Sequence, residues 1–115
     1  ECHCSSVGKC LLAFGRDVDL SVYEAHPLSV YTEYTISTVE KLKEELQDVR
    51  EKGYAIDREE LELGLTCIGA PILDRSGHAI AAISLSGPKS RMLAGDFCER
   101  VRAVTEVARK ISANF

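Results

Sequence analysis

The chain has 115 residues, 45% of them hydrophobic and 28% charged, the composition of one ordinary globular domain. Fourteen Lys and Arg against eighteen Asp and Glu give a net charge of −4 with no basic run, which excludes a phosphate-neutralising surface. No apolar run approaches the roughly 20 residues that cross a bilayer, and the absence of Trp with only 6% aromatics excludes a base-stacking platform. No basic-then-apolar leader is present. The five cysteines, Cys2, Cys4, Cys10, Cys67 and Cys98, are odd in number and irregularly spaced, so a reducing cytoplasm is expected rather than a disulfide framework.

Glu1 is not an initiator residue, and Ser5-Ser6 before Val7 read as a helix cap, so the chain is read as a fragment, or the ordered part, of a longer protein. A first helix is predicted over about 7–14, stopped by Gly15 in a left-handed conformation. A short helical turn over 19–24 should end before Pro27, and 31–36 has the composition of a short extended stretch. The clearest helix is predicted over 38–52: Ser37 and Glu40 form a capping box, and Val39, Leu42, Leu46 and Val49 form a stripe expected to face the sheet. After Gly53, a strand over 53–57 enters the charged turn Arg58-Glu59-Glu60. Two apolar strands, 65–73 and 79–85, flank the turn residues 74–78, and their composition suggests a sheet covered on both faces. A last helix over 97–113 is signalled by Asp96 and Glu99, with Phe97, Val101, Val104, Val107, Ala108 and Ile111 as its buried stripe. The order is that of an α+β fold.

Few residues suggest chemistry. Cys2-His3-Cys4 has the wrong spacing for a zinc pair and lacks a second clustered pair, so it reads as packed residues before a helix, with a metal sensor as the rival. Cys10 lies inside a predicted helix and Cys67 inside a strand. Both read as core thiols, with a thiol-dependent enzyme as the rival. Glu59, Glu60 and Glu62 read as a solvated charge run, whereas Asp57, directly after an apolar strand, can turn inward. Ser84 and Ser86 share one face of their strand, which leaves through Gly87-Pro88; inward hydroxyls there need backbone or ligand partners. No nucleotide loop or Ser–His–Asp spacing is present, and neither a cofactor nor catalysis is expected.

Four segments in order, 3–13, 49–60, 67–74 and 83–88, resemble the effector-binding domain of IclR-family bacterial transcription regulators. The first reads His-Cys-Ser-Ser-Val-Gly-Lys-Cys-Leu-Leu-Ala, the second ends Gly53-Tyr54-Ala55-Ile56-Asp57-Arg58-Glu59-Glu60, and the last is Ile83-Ser84-Leu85-Ser86-Gly87-Pro88. The resemblance implies a GAF-like curved antiparallel sheet flanked by helices, of which residues 1–115 are the larger C-terminal part. The first strands of that domain and an N-terminal winged helix-turn-helix are expected outside the chain. It further implies a small organic acid or related metabolite as effector, lined by Ser6, Val7, Asp57, Cys67, Ser84 and Ser86. A homodimer or tetramer is implied too, with DNA held only through the separate domain and no membrane contact. Ser5-Ser6, capping the first helix, place its N-terminus where it favours an anion.

This site makes a demand on hairpin register. Opposite side chains of an antiparallel pair share a face, so Cys67 joins Ser84 and Ser86 only if paired residue numbers sum to an odd value. Pairing Asp74 with Gly77 or with Ala79 satisfies this, whereas pairing Asp74 with His78 turns Cys67 away unless a bulge resets the alternation.

Overall fold

The computed structural model describes residues 2–115. In chain order the elements are α1 (Ser6–Phe14), α2 (Ser21–Ala25), α3 (Val39–Lys52), β1 (Ala55–Arg58), β2 (Leu65–Leu73), β3 (Ala79–Pro88), α4 (Lys89–Met92) and α5 (Phe97–Ser112). The strands form one antiparallel sheet, β1-β2-β3, so the expected α+β class is what is found. Helix α1 packs on one face of the sheet and α5 on the other, while α3 lies outside α1.

The helix ends follow side-chain chemistry closely. Ser5 caps α1 by accepting from Gly8 N at 3.0 Å, and Asp96 caps α5 by accepting from Glu99 N at 3.2 Å. For α3 the cap is Thr38, which accepts from Lys41 N, and not the expected Ser37. Gly53 ends α3 at φ 84°, the left-handed stop that glycine tolerates best. Gly15 is a correction: it is extended (φ −66°, ψ 155°), and glycine fits there because a Cβ would lie 2.4 Å from Leu11 O. The residues 31–36 are a turn rather than a strand. Thr35 Oγ1 accepts from Tyr31 N and Thr32 N, and both threonine hydroxyls donate to carbonyls of the Glu59-Glu60 turn. Hydroxyls that bond the local backbone draw it away from a ladder.

Two apolar groups hold the layers together. Cys10 and Ala13 of α1 meet Leu42, Leu46 and Val49 of α3, with Ala55 beneath, so the α3 stripe packs chiefly on α1 and only through it on the sheet. On the opposite face Ile68 and Ala70 meet Met92, Val104 and Ala108. Val107, expected in the α5 stripe, is exposed. The sheet is not covered evenly either. β2 is buried along nearly its whole length, whereas β3 is half-buried or exposed throughout and has an open outer edge. No helix among the described residues is long and apolar enough to cross a membrane.

Candidate functional site

The β2–β3 hairpin decides the site. Its loop is the three-residue one: Asp74 N bonds His78 O at 2.8 Å, and Gly77 adopts φ 82°. That pairing alone would turn Cys67 away from the serines. Between the pairs Ile72↔Ala81 and Leu73↔Ala79, however, Ile80 bulges out, and the alternation resets. Beyond the bulge the register is Gly69↔Ser84 and Cys67↔Ser86, and across β1 it is Ala55↔Gly69 and Asp57↔Cys67. Asp57, Cys67 and Ser86 therefore form one row on the α1 face, with Ser84 in the neighbouring row.

The N-terminus of α1 sits over the same rows. Gly69 lets it approach: a Cβ there would lie 2.8 Å from the backbone of Ser6. Ser6 is buried over β2, and Val7 is half-buried in the same first turn. The N–H groups of Ser6 and Val7 have no acceptor within the helix, as for any helix start. The six expected residues are thus gathered at one place, five by side-chain register and packing and Val7 as the neighbour of Ser6. Ser84 and Ser86 are exposed there, so the seat is open on the β3 side.

Beneath it runs a buried polar spine that reading the sequence missed. Lys9 is 0% exposed, and its Nζ donates to Glu60 Oε2 at 2.7 Å and Ile56 O at 2.8 Å, with Glu45 Oε1 at 3.6 Å. Glu60, expected in solvent, is buried; its N–H donates to Asp57 Oδ1 at 2.8 Å, and its Oε2 also accepts from Arg58 N. The available signal was position: Lys9 falls with Ser6, Cys10 and Ala13 on the buried stripe of α1. Such a pair needs a counter-charge because an isolated buried ammonium is strongly unfavourable.

Burial dominates the ionisation of the site. It pushes the Asp57 carboxyl up, against hydrogen bonds from Glu60 N and Leu61 N and the charge of Lys9. The Cys67 thiol, within hydrogen-bonding reach of Asp57 and Ser86, is also raised by burial. Cys10 is pushed up to about 12 by burial. Neither thiol is primed as a thiolate, which a cysteine nucleophile requires. Just before α1, His3 is buried with Nε2 2.7 Å from Ser29 O, its ring lying against Tyr23 and Tyr31. Among the described residues no three His, Cys, Asp or Glu side chains converge as a metal site.

Comparison with known proteins shows the family. The model of the family "Bacterial transcriptional regulator IclR C-terminal" matches residues 1–113. The chain belongs to the IclR family. It is 41% identical over 111 residues to the HTH-type transcriptional regulator BhcR of Paracoccus denitrificans, covering 96% of this chain and 40% of BhcR. It superimposes on the C-terminal domain of the Escherichia coli regulator KdgR with a TM-score of 0.85 at 41% identity, covering 97% of this chain and 69% of that domain. The inducer-binding domain of the Acinetobacter transcription factor PobR, solved as a double mutant with 3-hydroxybenzoic acid, gives a TM-score of 0.76 at 29% identity over 96% of this chain and 65% of that one. The chain spans less than half the length of the curated relatives it matches. Those IclR-family relatives are named as transcriptional regulators, not enzymes.

Proposed function

We propose that this IclR-family chain is the small-molecule effector-binding and oligomerisation part of a cytoplasmic transcription regulator. DNA is held by a winged helix-turn-helix outside the chain, and the domain's first strands also lie outside it. The open edge of β3 supports the latter, since an unpaired edge is a place for further strands. The observation that carries the reading is the convergence of the α1 N-terminus with Asp57, Cys67, Ser84 and Ser86 across three elements.

The donor set suits a small organic acid. Lys9 is already engaged by Glu60, so a carboxylate would take its hydrogen bonds from the serine hydroxyls and the N–H groups of Ser6 and Val7. Asp57 would instead receive a hydroxyl of the effector, which adds selectivity. Effector binding acts on DNA affinity by favouring one arrangement of a homodimer or tetramer over another. PobR, a structural relative, is described as having an inducer-binding domain, which supports the effector reading.

The test is calorimetry on the whole protein with a panel of small organic acids. The Ser84→Ala/Ser86→Ala pair should weaken binding by about 0.5 to 3 kcal/mol with the fold unchanged. Unchanged affinity in that variant would refute the site. The isolated chain should give no sequence-specific gel shift at ~150 mM salt, where weak phosphate contacts are screened.

A further inference from the structure

We propose a second small-molecule site, on the α5 face of the sheet, for a monocarboxylate with an apolar body. It is a cavity of about 330 Å³ between the end of β1 and the start of α5. Ile56, Thr66 and Phe97 form its wall, Tyr34 and Leu93 its mouth, and Arg58 its charged rim. That volume is in the range of small-ligand sites. The site is separate from the seat described above. Ile56 and Arg58 pair with Ile68 and Thr66, and these rows alternate with Asp57↔Cys67, so their side chains point to the other face.

Three observations point to a ligand and to its chemistry. Tyr34 and Leu93 are 52% and 51% exposed at the mouth, an apolar rim over a cavity that already has Ile56 and Phe97 inside. Thr66 is only 3% exposed and lines the cavity, yet its hydroxyl makes no hydrogen bond among the described residues. The hydroxyl is not one of the fully buried unpartnered polar atoms, so it opens onto the cavity and is available to a ligand. The two cations at the rim differ. Lys89 Nζ is held by Glu59 Oε2 at 3.2 Å, whereas the Arg58 guanidinium has no acidic partner among the described residues.

A guanidinium with open donors matches a carboxylate in bidentate geometry. A purely polar anion would leave the apolar wall uncovered, and an uncharged apolar molecule would leave Arg58 unused. An alkyl acid satisfies both, with its chain against Phe97 and Leu93 and its head at Arg58, within reach of Thr66. None of these residues belongs to the proposed effector seat, so the inference does not depend on it.

The test is a calorimetric titration of the whole protein with octanoate, with 1-octanol as the uncharged control. Saturable one-to-one binding is expected, weakened roughly tenfold or more by Arg58→Gln, as loss of a hydrogen-bonded charge pair implies. Thr66→Val should weaken it severalfold. 1-Octanol should bind worse than octanoate, and the Ser84→Ala/Ser86→Ala pair should leave octanoate affinity unchanged. The site is overturned by any of three results: no saturable binding at millimolar octanoate, as when another stretch of the protein or a second copy fills the cavity; binding indifferent to Arg58→Gln; or binding abolished by the serine pair. The serine variant separates the two sites, so failure of one reading is distinguishable from failure of the other.

Discussion

The two faces of β2 come from one apolar strand, yet they meet different surroundings. Thr66, Ile68 and Ala70 face α5, where Met92, Val104 and Ala108 close over Ile68 and Ala70 as a dry layer. Cys67 and Gly69 face α1, where the helix brings Ser6 and the buried Lys9 against Asp57 and Glu60. Around Ile68 and Ala70 the first face stabilises by excluding water, and it opens to polar groups only at Thr66 and Arg58, at the cavity. The second includes charge and hydroxyl groups that must be paired, and so fixes positions. Stability is drawn from both faces, and the proposed effector seat rests on the second.

The strongest way to break this contrast is Lys9→Met. It leaves Glu60, whose Oε1 already lacks a partner, and Asp57 without their buried counter-charge. A loss of about 3 to 5 kcal/mol is expected in urea unfolding. The double variant Lys9→Met/Glu60→Leu should recover most of it, because replacing a buried pair by apolar groups is often near neutral. A single-variant loss below ~1 kcal/mol, the size of a surface effect, would show that the spine is not buried.

On the dry face, Ile68→Ala should cost about 2 to 5 kcal/mol by leaving a cavity, with effector affinity preserved in the fraction that folds. Coupled loss of affinity in folded protein would erase the distinction between the faces. Gly69→Ala should cost about 1 to 3 kcal/mol, since α1 must move away from β2. It should also weaken effector binding, unlike Ile68→Ala, and comparing the two variants sharpens the contrast directly.

The smallest expected effect is on pH dependence. Asp57 has a folded pKa raised above its ordinary value of 3.8. Its contribution is therefore fully present below that value and is lost as pH rises through the raised one. Asp57→Asn keeps an oxygen that accepts from Glu60 N, and should flatten stability against pH across this interval. Urea midpoints measured along a pH series would check it; an unchanged slope would show that Asp57 titrates as in solvent.

The helices were legible in the residues because their signals are local. The Ser5 and Asp96 caps, Gly53 and the α3 stripe each act within a turn or two of the chain. The ordered segments also pointed to the family and to six residues at one place. Their meeting depended on more: the odd-sum register came from a three-residue loop combined with a bulge at Ile80, a choice that strand composition does not encode. Glu60 and Glu62 illustrate the same limit. Both stand in one charge run, yet Glu60 is buried because Lys9, 51 positions away, meets it inside, while Glu62 stays in solvent. Likewise β2 and β3 are both apolar, and only their places in the sheet, central and edge, make one buried and the other exposed. Local hydrogen bonding and periodicity are properties of neighbouring residues and can be read along the chain. Burial and charge pairing depend on distant residues, so only the tertiary structure decides them.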